Sequence, residues 1–324
     1  EYAFDGASRS IDQFLDDTVT TGFLVLRSGV IVHESYRLGA DETSRFTSWS
    51  MAKSVLSALI GIAVADGHIQ SLDDPLDRYV PALAGSGYDG VTIAQALTMS
   101  TGVVFDEDYD NPASDVNRLF ISLAAGRPMA DILAVLERDR PPGTYNRYIS
   151  ADSIALGLAL EAATGMPNEA YLAQRLWAPM GAERPAYWST GAAGRVLPFC
   201  CLNATLRDYA RFGRLFLDGG ARDGTQIVPR AWVAASTRPS APRLEPGENP
   251  ASDWTFGYGY HWWVPETPQS AFLAIGSWGQ YIYVDPARDI VIVKTSADEN
   301  FDARDYATVA LFRAVADHFA NAPP

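Results

Sequence analysis

Ser48-Trp49-Ser50-Met51-Ala52-Lys53-Ser54 runs straight into Val55-Leu56-Ser57-Ala58-Leu59-Ile60-Gly61-Ile62-Ala63-Val64-Ala65, the most helix-like apolar run in the chain. Polar residues at the mouth of a helix that is apolar along its length are an odd choice for a core. In a helix beginning near Ser50, residues i and i+3 are neighbours, so Lys53 reaches the Ser50 hydroxyl. A serine alcohol is a weak nucleophile until a base takes its proton. Burial lowers a lysine pKa and makes the amine such a base. The helix N-terminus adds the Ser50 backbone N–H, aimed where an oxyanion would form. Set against this is a plain structural reading, with Ser50 as an N-cap and Lys53 as a helix side chain reaching out to water. Composition favours the chemical one. Of 25 Lys+Arg, only Lys53 and Lys294 are lysine. Arginine, the usual cation of this chain, cannot give up its proton.

Working outward, Ser8 to Val19 reads as an amphipathic helix. Residues 22–27 and 30–36 make a hairpin about Ser28-Gly29. The helix from Met51 ends near Asp66-Gly67. A short helix precedes Val80-Pro81, and Thr92 caps another through Leu97. Residues 105–115 form an acidic, aromatic loop. Helices follow at Val116–Ala125, Met129–Arg138, Ala151–Thr164, Tyr171–Trp177, Ala204–Leu217 and Pro229–Ser236. Strands occupy Gly257–Val264, Phe272–Ile275, Gln280–Val284 and Ile290–Thr295, and a last helix spans Ala303–His318. This order predicts an α+β fold (an α/β sandwich). One antiparallel sheet draws on both chain ends and is flanked by helices, with a mostly helical middle lobe. The expected division is residues 1–60 and 200–324 for the sheet region and 61–199 for the helical lobe, together one intertwined catalytic unit. A ligand cleft is expected between lobe and sheet.

Composition narrows the function. A chain of 324 residues, 48% hydrophobic, has ample material for a large core. Its net charge of -14 makes nucleic acid an unfavourable partner. No apolar run of membrane-spanning length occurs. The chain opens on Glu1 rather than methionine, as expected if a leading segment has been removed. Cys200 and Cys201 are adjacent, a spacing that rarely forms a disulfide, so the redox compartment is not revealed. The four histidines lack Gly-x-Ser-x-Gly company, and Ser100 lacks the first glycine of such an elbow. Zinc-ligand spacing and a glycine-rich phosphate loop are absent. The run Asp106-Glu107-Asp108 reads as solvated surface.

Ordered matches along the chain resemble the serine β-lactamase and penicillin-binding-protein superfamily, in its class C β-lactamase and esterase branch. They are Ser50-Met51-Ala52-Lys53, Leu72-Asp73-Asp74-Pro75-Leu76, Thr92 through Gly102, Pro142-Gly143-Thr144 with Tyr148 following, and Gly276 on a strand near Asp285-Pro286. Within that branch, Tyr148-Ile149-Ser150-Ala151-Asp152 and the loop Asp108–Asp115 are similar to aminohexanoate-dimer (nylon-oligomer) hydrolases. The resemblance implies a β-lactamase/transpeptidase-like fold and an acyl-enzyme mechanism without metal or cofactor. Ser50 is then the nucleophile, Lys53 its partner and Tyr148 a second base whose pKa a nearby lysine charge lowers. It further implies that Ser150 contacts Lys53 or substrate, a turn serine being the alternative, and that Tyr109 reaches the substrate from its loop. The family's Lys-Thr-Gly element is replaced by Ala274-Ile275-Gly276, so the Ser277 N–H joins that of Ser50 as the oxyanion hole. An alternative register uses Ser277-Trp278-Gly279. Gly276 and Trp278 become pocket residues, and Lys294-Thr295-Ser296 is a decoy whose lysine is a surface charge.

The implied function is hydrolysis of short carboxylic esters, with small linear amides as further substrates. The alternatives are a β-lactamase or D-alanyl-D-alanine carboxypeptidase, or a catalytically silent binding protein on the same scaffold. Oligomeric state, and compartment between bacterial cytoplasm and periplasm, are left open.

Overall fold

The computed structural model describes residues 1–267 and 270–321. Its main sheet has seven strands, all antiparallel to their neighbours. From edge to edge they are Gly257–Tyr258, Trp263–Val264, Phe272–Gly276, Gln280–Asp285, Ile290–Ser296, Thr20–Arg27 and Val30–Tyr36. The two chain ends meet where Ile290–Ser296 pairs with Thr20–Arg27. Every residue of Ile290–Ser296 is buried, which requires cover on both faces. Alternation assigns the faces. Ile290 and Ile292 pack with Phe312 and Val315 of helix Asp305–Asn321. Val291 and Val293 join the larger core, with Phe212 and Leu215 of helix Leu206–Leu217. The fold is the α+β arrangement expected, with helices on both faces of the sheet.

Helix Met51–Ala65 is buried from Met51 to Ala63. A helix apolar around its whole circumference has no solvent face to offer, so it runs through the core. It packs against helix Ser150–Thr164 and against strand Phe272–Gly276. That contact sets the site, because it brings the heads of two helices and the end of one strand together. No helix among the described residues is long and apolar enough to cross a membrane.

Several local expectations change. Ala7–Arg9 pairs with Tyr2–Phe4, so the first helix starts only at Ile11, where Ser10 accepts from the Gln13 N–H. The predicted helix Met129–Arg138 stops at Leu133, because the Leu136 and Glu137 carbonyls accept instead from the Gly87 and Val104 N–H groups. The predicted strand Gly257–Val264 is two short strands, since the chain reverses at His261, with φ 59° and Gly259 N–H bonded to the Trp262 carbonyl. Tyr171–Trp177 is an α-turn, Asn168–Leu172, running into a π-turn, Ala173–Trp177. A three-stranded sheet of Phe46–Thr47, Leu202–Ala204 and Tyr187–Trp188 was not foreseen, its strands being too short for a periodic signal.

Beside that sheet, Cys200 and Cys201 are joined in a disulfide, against expectation. Cys201 takes φ 68°, the left-handed region, which folds the second side chain back toward the first. The Cys201 N–H bonds the Trp49 carbonyl, Ser48 N–H bonds the Leu202 carbonyl and Leu202 N–H bonds Ser48 Oγ. These ties hold the turn that presents Ser50.

Candidate active site

Ser50 precedes helix Met51–Ala65 with helical backbone angles, φ -69° and ψ -8°, and its side chain makes no capping bond. The plain N-cap reading therefore fails, and the hydroxyl is available for other work. Lys53 is 2% exposed, so it does not reach out to water either. Its Nζ lies 3.0 Å from Ser50 Oγ, 3.2 Å from Ser150 Oγ and 2.9 Å from the Phe199 carbonyl. Burial pulls its pKa from 10.5 down to about 8, with the Glu107 charge acting in the opposite direction. An amine that releases its proton near that pH is a usable base.

Tyr148 stands just before helix Ser150–Thr164. Its ring stacks on Trp263 at 5.3 Å, meets Tyr258 and Trp254 edge-on, and lies 4.9 Å from Lys53 Nζ. The expected lowering of its pKa is reversed. Burial first, and then the Glu107 carboxylate, push the phenol well above its ordinary value, with only the Ser50 hydrogen bond pulling down. A phenol so placed holds its proton and can give it only to an atom more basic than itself.

Ser50 and Tyr148 line a cleft of about 470 Å³ together with Tyr109, Gly276 and Ser277. Trp263, Trp254 and Ile275 give it an apolar side, and several carboxylates an acidic rim. Gly276 has no room for a side chain, since a Cβ there would lie 2.3 Å from the Ser48 carbonyl and 3.1 Å from the Ser50 N–H nitrogen. Strand Phe272–Gly276 is thus pressed against the Ser50 turn, with Ser277 next in line. Gln280 clamps the loop that follows, its Nε2 donating to the carbonyls of Ser277, Trp278 and Ser296.

Ser150 is fully buried and faces Lys53 rather than the open cleft. Trp278 is 38% exposed, lies outside the cleft lining and sits 6.5 Å from the Trp49 ring. His261 is turned to Ser153 and Tyr258, not to Ser50. Burial, followed by the Lys53 charge, lowers its pKa to about 3, so it is neutral.

Two readings need correction. Glu107 is not solvated surface. Its carboxylate accepts from Ser150 N–H at 2.8 Å, from Ser150 Oγ and from the Tyr109 hydroxyl at 2.8 Å. The neighbouring Asp106 and Asp108 are exposed, and nothing in the run of three acids singles out the middle one. Lys294 is not a surface charge either. It is 1% exposed, bonds Ser296 Oγ, and is lowered to about 7 chiefly by burial. It lies outside the cleft lining, so Lys294→Met is expected to leave ester turnover within about threefold of wild type, beyond the ordinary scatter of remote substitutions only if it repacks the strand. Steady-state rates on the purified variant check this.

A family model described as Beta-lactamase matches residues 7–315. The 6-aminohexanoate-dimer hydrolase of Paenarthrobacter ureafaciens is 32% identical over 305 residues, covering 91% of this chain and 77% of that one. A Bacillus anthracis structure provisionally described as a 6-aminohexanoate-dimer hydrolase superposes with a TM-score of 0.86 at 27% identity, covering 98% of this chain and 84% of the other. A family VIII carboxylesterase, at 18% identity, shares the fold with a TM-score of 0.70 over 93% of this chain and 94% of its own.

Proposed function

The chain belongs to the β-lactamase family of serine hydrolases, and from that premise we propose that it cleaves short carboxylic esters and small linear amides through an acyl-enzyme on Ser50. The observation that carries this reading is the 3.0 Å contact between Lys53 Nζ and Ser50 Oγ at the floor of an open cleft.

Neutral Lys53 takes the Ser50 proton as Oγ forms its bond to the carbonyl carbon. The carbonyl oxygen becomes an oxyanion held by the N–H groups of Ser50 and Ser277. As that intermediate collapses, the bond to the leaving alcohol or amine breaks and Tyr148 gives the leaving atom its proton. Lys53 then returns a proton to Tyr148. A water molecule, deprotonated by the same pair, releases the acid and restores Ser50. The depressed amine pKa supports Lys53 as the base, while Tyr148 stays protonated until the more basic leaving atom develops beside it.

Charge in the cleft bears on substrate choice. Asp106, Asp108, Asp110, Asp302 and Asp305 line it, with Arg147 as the cation among the lining residues. Burial, and then the Asp110 charge, raise the Asp302 pKa. Such a rim repels a substrate carboxylate and tolerates a neutral or cationic chain. The amide part of the reading leans on the similarity to the dimer hydrolases, whose names specify a linear amide. Tyr109 lines the same cleft, which supports a contact from its ring to the substrate.

A chromogenic butyrate ester, an aminohexanoate dimer and a chromogenic cephalosporin, assayed together, test the proposal. Ester turnover is expected to exceed cephalosporin turnover, and a serine-directed phosphonate is expected to add to the peptide carrying Ser50. Cephalosporin as the preferred substrate would turn the reading toward a β-lactamase. No turnover and no adduct would leave a binding protein.

A further inference from the structure

We propose that Glu107 is a positioning residue: by taking the only hydroxyl proton of Ser150 it turns the Lys53 lone pair onto Ser50. The inference rests on the reading of Ser50 and Lys53 as nucleophile and base, and it concerns a residue that the sequence placed on the surface.

The argument is a count of protons. An ionised carboxylate only accepts, and a serine hydroxyl has one proton to give. Ser150 Oγ gives that proton to Glu107 Oε1. Toward Lys53, 3.2 Å away, Ser150 can then only accept. The Phe199 carbonyl, 2.9 Å from Lys53 Nζ, also only accepts. A neutral amine has two N–H bonds, and these two acceptors use both. The remaining tetrahedral direction holds the lone pair, and the third neighbour is Ser50 Oγ at 3.0 Å. Without the carboxylate, the Ser150 hydroxyl is free to rotate and donate to the amine, competing with Ser50 for the same lone pair.

Two further observations hold Glu107 in this place. Helix Ser150–Thr164 has Ile149 at its N-cap, which offers no side-chain acceptor. Glu107 fills that role from another segment, accepting the Ser150 N–H at 2.8 Å at the positive end of the helix dipole. Its own loop is tied down by Asn117, whose Nδ2 donates to the Tyr109 and Asn111 carbonyls.

The test uses Glu107→Gln, which keeps the size but supplies an amide N–H in place of one acceptor oxygen. Its kcat on an ester is expected to fall about 10- to 100-fold with KM changed less than about threefold, the loss typical of a misdirected proton-transfer group. The cost is expected to vanish largely in a Ser150→Ala background, where no hydroxyl remains to be oriented. Titration supplies a readout independent of turnover. The chain has two lysines, Lys53 and Lys294, so isotope-labelled lysine gives two resolvable NMR signals, assigned with Lys294→Met. The groups facing Lys53 that titrate or carry charge are Glu107, Tyr148 and His261. Because the Glu107 charge favours the ammonium, Glu107→Gln is expected to move the Lys53 titration to lower pH and leave Lys294 in place. Glu107→Asp, which keeps charge and acceptors, is expected to retain most of the wild-type kcat and Lys53 titration, and it serves as the comparison if the glutamine variant proves unstable. Wild-type kcat in Glu107→Gln, an equal loss in the Ser150→Ala background, or an unmoved Lys53 titration would each overturn the inference. Failure of the underlying hydrolase reading is seen separately, as a wild-type protein that titrates as described yet forms no phosphonate adduct.

Discussion

Lys53→Arg is expected to lower kcat/KM for a short ester by on the order of 10³-fold, the scale of a lost general base. The loss approaches that of Ser50→Ala, because a nucleophile and its base act as a unit. Arginine keeps a positive charge at the site but cannot surrender its proton at any working pH. It must also bury that charge where Lys53 is now 2% exposed, so Lys53→Met serves as the variant whose folding is safer. The wild-type pH profile carries the same argument. Lys53 is drawn from 10.5 to about 8, and the base is the deprotonated form. Activity therefore rises with pH up to about 8, falling roughly tenfold per unit below it, and levels off above. Rates between pH 6 and 10 check both claims, and a wild-type profile flat across that window would count against Lys53 as the base.

Gly276→Ala is expected to lower kcat by about 10²- to 10³-fold with a much smaller effect on KM, the loss associated with one oxyanion donor. The added Cβ would sit 2.3 Å from the Ser48 carbonyl, backbone against which no side-chain rotation helps. The strand must withdraw from the Ser50 turn and take Ser277 with it. Binding of substrate in the cleft survives, because the aromatic walls at Trp254 and Trp263 stay in place. The same clash at the end of strand Phe272–Gly276 costs packing, so a fall in melting temperature is expected alongside the kinetic loss. Phosphonate labelling separates the two effects: a folded variant that labels slowly reports on the oxyanion site, and one that labels at the wild-type rate would remove Gly276 and its neighbour from it.

Local features of the site were legible in the chain. Ser50 and Lys53 are three residues apart, and helical geometry alone makes them neighbours. The apolar run after them announced a buried helix, from which the depressed lysine pKa follows. Short apolar runs near both chain ends, Phe23–Leu26 and Ile290–Val293, announced the shared sheet. The direction of the Tyr148 shift differs from the expectation for a related reason. The expectation rests on a charged lysine neighbour, whereas the site that buries Lys53 also buries Tyr148, and that burial, followed by the Glu107 charge, raises the phenol.

Contacts between distant segments were decided only by tertiary structure. Glu107 reaches Ser150 across 43 positions, from a loop whose flanking acids point to water. Its charge sign made it look like surface, and only a helix head lacking its own cap shows why a carboxylate belongs there. Lys294 reads as an outer charge because it lies at the far end of the last strand, yet that strand is covered on both faces. The Phe199 carbonyl, a backbone group with no sequence signature, binds Lys53 because the segment ending in Cys200–Cys201 folds under the Ser48–Ser50 turn. Composition and periodicity determined most of the longer elements and that Ser50 and Lys53 meet. The close packing of helix heads against the end of a strand decided which acceptors surround the amine. Such neighbours depend on how elements dock, and docking is a property of the whole core rather than of any one stretch.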